Sequence, residues 1–141
     1  MKKIIYITGI FVFVGVLTAL FIFIKIYNKP HIDVHSSTPD YIITIENITD
    51  EFNRDEEEAN QKYLDKIIQV EGIINDIDIL DGHSTITLTS PENPTKTVVC
   101  NMVATENIKA IKLQQGQKIT VRGICTGYLM DVMLVKTVII D

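Results

Sequence analysis

The chain has 141 residues, which suffices for one compact domain with an accessory segment and excludes a larger multidomain architecture. Its formal net charge is −5, but residues 1–29 carry four lysines and no acid, so residues 30–141 carry −9, from nine basic and eighteen acidic side chains. Such an acidic portion repels phosphate backbones, which disfavours nucleic acid as a partner. Two cysteines, Cys100 and Cys125, allow one disulfide but do not supply the usual four-ligand zinc site.

A long apolar segment near the N-terminus predicts a membrane anchor. Residues 4–24 contain no charged residue, and as an α-helix these 21 residues would span about 30 Å, the hydrocarbon thickness of a bilayer. Two lysines precede the segment, and two more follow it before Pro30. The segment exceeds the apolar core of a cleaved signal peptide, and no small-residue cleavage site follows it. We therefore predict that residues 1–29 form an uncleaved signal anchor with a single transmembrane helix.

The orientation of this anchor is predicted from the charge and the size of the segments on its two sides. Because lysines flank both ends, the positive-inside bias is slight. A short N-terminal tail joined to a large acidic C-terminal domain favours an N-terminus inside the cell. We expect a single-pass membrane protein whose C-terminal domain is extracytoplasmic, in the periplasm. Neither cysteine lies near the apolar segment, so a lipid-attached lipoprotein is not indicated.

Residues 30–40 are predicted to be a linker, because they lack hydrophobic periodicity and include two prolines and two serines. His31, Asp33 and His35 alternate and could contact a metal ion. Three ligands on a tether make a weak site, however, and a polar spacer is the favoured interpretation. We predict no metal site.

An amphipathic helix is predicted after the linker. Its apolar residues recur at separations of three, four, seven and four, which places them on one face; they are Ile45, Ile48, Phe52, Ala59 and Tyr63. Thr44 is the predicted N-cap, and a second helix start near residues 53–55 is an alternative. The acidic run at residues 55–58 points around the helix, so we interpret it as solvated and not as a metal or catalytic cluster. The apolar face should pack on the rest of the domain as a lid.

Five strands are predicted after this helix. The hydrophobic pattern gives strands at residues 66–77, 85–89, 97–103, 117–125 and 130–140, and a short helix at residues 105–113. Asp81-Gly82 is a hairpin turn signal between the first two strands. A helix, three strands, a short helix and two strands is the element order of an OB-fold, a five-stranded Greek-key barrel. We therefore predict a mainly β protein in which residues 41–141 form an OB-fold domain with an N-terminal helix.

The motif Ile-x-Val-x-Gly-Ile occurs twice, at residues 68–73 and 119–124. Alternating Ile and Val give each strand one apolar face, and the internal glycine indicates a bend or bulge. In the OB topology the first and fourth strands pair antiparallel, so the two motifs should lie opposite each other. We also expect a cross-strand ion pair between Glu71 and Arg122.

Two stretches of the sequence resemble a known family. Residues 116–134 read Gly-Gln-x-Ile-Thr-Val-x-Gly-x-Cys-Thr-Gly-Tyr-Leu-x-Asp-Val-x-Leu, which is similar to the C-terminal signature of the tRNA_anti-like family of OB-fold proteins. Asp55-Glu-Glu-x-Ala59-Asn-x-Lys-Tyr63-Leu, followed by Val70-x-Gly72, resembles its N-terminal signature. The resemblance covers about residues 42–141. It implies an OB-fold of a largely uncharacterised group from Bacteroidetes-type bacteria, and it implies no established activity and no functional residues.

Several chemistry-bearing residues fall within the predicted strands. Cys100 and Cys125 share the inward parity of their strands, so we predict buried, unbridged thiols, with a disulfide as the alternative in an oxidising compartment. Asp76, Asp78 and Asp81 surround the predicted hairpin. They lack the later glutamate of a calcium loop, and we interpret them as turn residues.

The OB-fold itself selects a candidate ligand surface. OB-folds bind ligands on the face of their second and third strands, on the first hairpin loop and on the loop between the last two strands. The candidate ligand-binding residues chosen by this rule are His83, Thr85, Thr87, Asn101, Arg122 and Tyr128. The alternative is that they are ordinary surface and turn residues.

Binding rather than catalysis is the predicted function. We expect a membrane-anchored extracytoplasmic OB-fold module whose partner is an envelope protein or a small molecule. A single-stranded nucleic-acid binder, of the tRNA anticodon-binding kind, is the alternative by fold analogy, but such proteins use a basic groove and stacked aromatic residues. An enzyme is not indicated, because no nucleophile–base pair, no fixed pair of carboxylates and no metal cluster is visible. No catalytic residue and no cofactor is predicted.

Overall fold

The computed structural model describes residues 14–24 and 33–140. Residues 14–24 are helical, whereas residues 4–13, the first part of the predicted transmembrane helix, lie outside the described residues. Among the described residues, no helix has both the length and the apolar character needed to cross a membrane. The chain divides into two units, Met1–Ile32 and Asp33–Asp141, and the second unit contains the predicted barrel.

The elements of the second unit, within residues 33–140, follow the predicted order. The strands are β1 (Tyr41–Ile42), β2 (Ile67–Leu80), β3 (His83–Thr89), β4 (Thr97–Met102), β5 (Lys118–Tyr128) and β6 (Val132–Ile140). The helices are α1 (Ile45–Arg54), α2 (Glu56–Tyr63) and α3 (Asn107–Ala110), with a 3₁₀ turn at Ala104–Glu106 before α3.

Five strands close into a barrel in the order β2-β3-β4-β6-β5, and β5 pairs back with β2. The 14-residue β2 belongs to both sides of the barrel, because residues 67–73 pair with β5 and residues 73–80 pair with β3. The strand changes register between Ile74 and Asp76, where a bulge bends it. The prediction of a mainly β, five-stranded OB-fold barrel with an N-terminal helix is confirmed.

The two repeated motifs lie opposite each other, as predicted, with Val70 paired to Val121. The expected ion pair between Glu71 and Arg122 was wrong. The register sets Arg122 opposite Gln69, and the Arg122 Nε and Nη2 atoms donate to Gln69 Oε1 at 3.2 and 2.8 Å. Glu71 instead forms an ion pair with Lys118 at 2.7 Å. The outward-facing side of each strand does not by itself fix which residue lies opposite Arg122. A shift of the pairing by two residues keeps the same faces outward but exchanges Glu71 for Gln69.

The N-terminal helix is two helices, as the alternative start near residues 53–55 anticipated. Thr44 caps α1, and its hydroxyl accepts a hydrogen bond from the Asn47 amide at 3.2 Å. Asp55 has an extended backbone, with φ −155°, and its carboxylate accepts from the Glu58 amide at 3.0 Å. The extended backbone of Asp55 therefore ends α1, and its side chain caps the start of α2.

The two helices close one side of the barrel. The five apolar residues predicted to form one helix face are each no more than 2% exposed and belong to the main core; they are Ile45, Ile48, Phe52, Ala59 and Tyr63. The predicted lid is confirmed. Burial of each large side chain stabilises the fold by roughly 1.5–3 kcal/mol.

Residues 33–40, which we call the strap, pack on the barrel and differ from the predicted linker. Val34 is only 3% exposed and clusters with Ile67, Ile124 and Val138 on the outside of the barrel. The Asp40 carboxylate accepts a hydrogen bond from the Ile67 amide at 2.8 Å. A single apolar residue has no periodicity, so the sequence pattern could not distinguish the strap from a tether.

Several element ends also differ from the prediction. β1 is a two-residue strand that pairs parallel with β2 at Ile68 and Gln69, and it had not been predicted. β2 and β5 run three residues further than predicted, to Leu80 and Tyr128. The predicted helix at residues 105–113 is shorter and starts as a 3₁₀ turn.

The two cysteines lie on either side of one residue of β6. Cys100 in β4 and Cys125 in β5 are both paired with Leu134. Their Cα atoms are therefore about two interstrand spacings apart, roughly 9–10 Å, whereas a disulfide needs them within about 7 Å. Both thiols are free and buried. Burial raises the pKa of Cys100 to about 12 and raises the pKa of Cys125 in the same direction.

Two glycines of the repeated motifs lie where no side chain fits. A Cβ atom on Gly72 would lie 2.5 Å from Ile45 Cδ1 and 3.0 Å from the Thr89 carbonyl oxygen. A Cβ atom on Gly123 would lie 2.6 Å from Thr137 Oγ1. The register of β5 shifts at Gly123, as predicted, whereas in β2 the shift comes after Gly72. Gly72 is therefore needed for close packing of α1 and not for a bend.

The thiol of Cys100 should make stability fall at alkaline pH. The unfolded state releases this proton above about pH 8.5, while the folded state keeps it, so the free energy of unfolding falls by up to about 1.4 kcal/mol per pH unit. Cys100→Val removes the group, so urea denaturation between about pH 8.5 and pH 10 should give a shallower pH dependence. Equal slopes for the variant and the parent chain would contradict a buried neutral thiol.

Substitution of either packed glycine should destabilise the barrel. We expect Gly72→Ala and Gly123→Ala each to lower the free energy of unfolding by about 1–3 kcal/mol, because the added methyl group meets well-packed atoms. Thr126→Ala, at an exposed residue of the same strand as Gly123, serves as the control and should change it by less than about 0.5 kcal/mol. Urea denaturation measures all three variants, and neutral glycine variants would refute this packing.

Candidate functional site

A two-residue hairpin brings the candidate residues of β3 beside two aspartates of β2. Asp81 and Gly82 have φ values of 51° and 77°, as a tight hairpin turn of this kind requires. The turn pairs Leu80 with His83 and sets the register of both strands. Consequently Asp78 lies opposite Thr85, and Asp76 lies opposite Thr87, all on the outer face of the barrel.

The next strand, β4, extends this face. Asn101 lies opposite Thr85, and the Thr85 hydroxyl donates to Asn101 Oδ1 at 3.0 Å. We call the face formed by these residues the outer-face patch; its members are Asp76, Asp78, Thr85, Thr87 and Asn101. The two aspartates are exposed, and the other three residues are partly exposed. Thr85 and Asn101 keep further donors and acceptors, because their mutual bond uses one group of each.

The outer-face patch carries negative charge. None of the residues of β2, β3 or β4 is a lysine or an arginine, and the patch contains two aspartates. A phosphate group placed there would meet two carboxylates, and the strands of the patch offer it no lysine or arginine, which is unfavourable. The hydroxyl and amide groups instead suit an uncharged polar ligand, and the aspartates suit a cationic one.

Both hairpins that usually flank an OB-fold ligand surface lie beside this face. At one end, the Asn107 side-chain amide donates to the Gly82 carbonyl, and Ser84 Oγ donates to Asn107 Oδ1 at 2.8 Å. These bonds tie the first hairpin to α3. At the other end, the Thr97 hydroxyl donates to Asp131, which lies in the hairpin between β5 and β6. The face therefore has ordered boundaries at both ends.

His83 joins this face, whereas Arg122 does not. His83 is exposed at the start of β3, next to the hairpin turn. Arg122 lies on β5, where its guanidinium donates to Gln69 and to the backbone carbonyl of Ser37 at 2.5 Å. The side chain of Arg122 thus holds the strap, and its charge is not directed at the patch.

Tyr128 also lies apart from the patch. Its ring stacks on Phe52 with centroids 5.5 Å apart and an interplanar angle of 13°, and its hydroxyl donates to Asn53 Oδ1 at 2.8 Å. Phe52 in turn contacts Tyr63, whose ring centroid lies 5.1 Å from that of Tyr41. The aromatic rings of the domain therefore gather at the helical lid, where they pack α1 and α2 against the barrel.

A lysine and a glutamate flank this aromatic cluster. Lys62 Nζ lies 4.8 Å from the centroid of the Tyr63 ring and forms an ion pair with Glu51 at 2.8 Å. The hydrogen bond from Lys62 lowers the pKa of the Glu51 carboxyl. This basic residue is thus engaged in joining α1 to α2 and lies away from the outer-face patch.

Four of the residues predicted from the sequence lie together on this face: His83, Thr85, Thr87 and Asn101. The prediction missed the two aspartates of β2 that lie opposite Thr85 and Thr87. The sequence pattern predicts Asp76 and Asp78 to be turn residues, whereas the structure places both in β2. The signal was present, because a two-residue turn at residues 81–82 pairs residue 80 with 83, 78 with 85 and 76 with 87. Within the described residues, no group of three or more His, Cys, Asp or Glu side chains is placed to hold a metal ion.

Two solved structures with a similar fold are a bacterial lipoprotein and a tRNA synthetase. A candidate nucleic acid-binding lipoprotein from Klebsiella pneumoniae superposes with a TM-score of 0.65 at 20% identity, over 80% of this chain and 100% of that chain. A candidate aspartyl-tRNA synthetase from Leishmania major superposes with a TM-score of 0.51 at 9% identity, over 74% of this chain and 22% of that chain. Similarity at this level of identity shows a shared fold alone.

None of the curated proteins matches this chain. The family resemblance drawn from residues 116–134 and 55–72 is confirmed, because a model of the tRNA_anti-like family matches residues 1–139. That match extends over the strap, both helices of the lid and all strands of the barrel. By this match and by its closed five-stranded barrel, the chain belongs to the tRNA_anti-like family.

Proposed function

We propose that this chain is a membrane-anchored binding module whose outer-face patch takes a polar ligand outside the cytoplasm, either an envelope protein or a small molecule. The observation that carries the proposal is the patch itself. It combines two exposed aspartates with the hydrogen-bonded Thr85–Asn101 pair and lies between two ordered hairpins. The module binds without performing chemistry.

The contrast between the two sides of the barrel supports this location. The strap covers the outer face around Ile67 and Ile124, where Val34 is 3% exposed. Thr87 and Asn101, by contrast, remain partly exposed. A binding surface needs accessible donors and acceptors on a rigid support, and strands supply that support better than loops do.

Charge and aromatic placement favour this ligand class over single-stranded nucleic acid. Such binders combine a basic groove with exposed aromatic rings on which bases stack. Here the strands of the patch contain no lysine or arginine, and Tyr128 and Phe52 stack on each other at the lid. The name of the Klebsiella pneumoniae neighbour favours nucleic acid as the second candidate.

A non-catalytic role fits the state of the two potential nucleophiles. Cys100 and Cys125 are buried, and burial raises the pKa of both thiols, so neither is a reactive thiolate at neutral pH. A thiol must be accessible and partly ionised to attack a substrate. The cysteines therefore serve the core, as small apolar side chains do.

The anchor part of the proposal rests on composition. Residues 4–24 carry no charge and have the length of a bilayer-spanning helix, and the described part of that segment, residues 14–24, is helical.

A protease-accessibility experiment tests the orientation. In intact spheroplasts, added protease should degrade a C-terminal epitope tag, and in a carbonate wash the protein should stay with the membrane fraction. Replacing two leucines of the segment by lysines, Leu17→Lys and Leu20→Lys, should release the protein, because each buried charge costs about 2.5–3.5 kcal/mol. Protection of the tag in intact spheroplasts would refute an extracytoplasmic domain.

Photo-crosslinking from the outer-face patch tests the binding surface. A photoreactive residue at position 87 of the full chain should give one dominant adduct in cells, read by intact mass and peptide identification. Asp76→Lys together with Asp78→Lys should abolish that adduct, because the exposed charge of the face is reversed.

The matched control places the same photoreactive residue at position 57, which is exposed on α2. That position should not give the dominant adduct. The same adduct from both positions, or an adduct made of nucleic acid, would overturn the proposed surface or the proposed ligand class respectively.

A further inference from the structure

A second surface, on a different side of the barrel, forms an open groove of about 450 Å³. It lies where the end of β1 meets the start of α1, the outer face of β2 and the loop between β3 and β4. Its apolar walls are Ile42, Ile43 and Pro91, and its volume falls in the range of ligand-binding clefts. None of the residues of the outer-face patch lines it.

The groove is lined by three glutamates, Glu46, Glu71 and Glu92, and by no lysine or arginine. Glu71 is neutralised by its ion pair with Lys118 at 2.7 Å. In the described part of the chain, no ion pair involves Glu46 or Glu92. The groove therefore presents two uncompensated acidic side chains beside apolar walls.

Glu46 carries a further unsatisfied group. Its Oε1 atom is buried and, within the described residues, has no hydrogen-bond partner. Buried carboxylate oxygens normally accept hydrogen bonds, and leaving one unpaired is destabilising. A donor that enters the groove can remove this cost after a small rotation of the carboxylate.

The partial positive charge at the N-terminus of α1 does not cancel the negative charge of the groove. Thr44 and Glu46 belong to the start of α1, and a helix N-terminus carries about half a positive charge. Thr44 accepts a hydrogen bond from the Asn47 amide, which uses one of the free amides. Two glutamate charges exceed the remaining partial charge, so the groove attracts cations.

We propose that this acidic groove binds a lysine or arginine side chain of an extended peptide segment from a partner protein. The cationic head lies between Glu46 and Glu92, and the aliphatic stem packs on Ile43 and Pro91. Ile42 is 76% exposed beside the groove, and the residues that flank the cation in a peptide would cover it. A free amine would leave that apolar surface in water, so a peptide is the better fit.

Methyl NMR of the full chain in a non-ionic detergent tests this proposal, with isoleucine δ1 methyl groups as reporters. The probe is the peptide acetyl-Ala-Leu-Lys-Leu-Ala-amide. It should shift the methyl resonances of Ile42 and Ile43, while that of Ile108, which is exposed but does not line the groove, should stay unchanged. Glu46→Gln together with Glu92→Gln should weaken binding about tenfold or more, because charge-assisted hydrogen bonds are lost. Glu57→Gln, an exposed change on α2, is the matched control and should have no effect.

Four outcomes would overturn the proposal. In the first, a peptide with norleucine in place of lysine binds as tightly, so charge plays no part. In the second, butylamine binds as tightly as the peptide, so the site takes small amines. In the third, the lysine peptide shifts no groove methyl group. In the fourth, the double variant keeps its affinity for the peptide. These results are independent of the outer-face patch, so they do not bear on its ligand.

Discussion

The pairing of the first half of β2 with β5 is the constraint on which the rest of the structure depends. β2 runs from β5 on one side of the barrel to β3 on the other, so its course closes the barrel. Its close approach to α1 needs Gly72, and the close approach of β5 to β6 needs Gly123, because a Cβ atom at either position would lie within 2.6 Å of a neighbouring side chain. The helical lid can then seat Ile45 directly over β2. Closure of the barrel and packing of the helical lid on it therefore both depend on a glycine at a close contact.

The same register divides the outer surface into two regions. Around Ile67 and Ile124, apolar outer residues are covered by the strap, and Arg122 secures the strap through the Ser37 carbonyl. On β3 and β4 the outer residues Thr85, Thr87 and Asn101 are polar and remain partly exposed. A barrel of this size cannot hold a ligand inside, because its interior is filled by side chains such as Leu88 and Leu134. Any ligand of the barrel must therefore bind on the outside.

Acidic side chains are the feature that the two proposed surfaces share. Asp76 and Asp78 lie on the outer-face patch, whereas Glu46 and Glu92 lie in the groove next to apolar walls. Most of the lysines that form ion pairs do so with acidic residues outside these two surfaces. Lys62, for example, pairs with Glu51. Uncompensated carboxylates repel phosphates and attract ammonium and guanidinium groups. Part of the acidic excess of the composition therefore lies on the two proposed surfaces.

The sequence by itself determined the elements and their order. The period of Ile45, Ile48 and Phe52 gave the lid, and the alternation of the strands together with the Asp81-Gly82 turn gave the barrel, because helix and strand periodicity are local properties of the chain. It also determined that Asp76 and Asp78 face Thr87 and Thr85, since a two-residue turn fixes the register of the hairpin.

Only the tertiary structure decided the partners across long separations. It placed Arg122 on Gln69 and not on Glu71, set Tyr128 on Phe52 and fixed Cys100 and Cys125 two strands apart. It also laid the strap on the barrel and formed the acidic groove from four separate segments. Local pattern cannot specify these contacts, because residues of equal parity on paired strands become neighbours only when the register of the closed barrel is set.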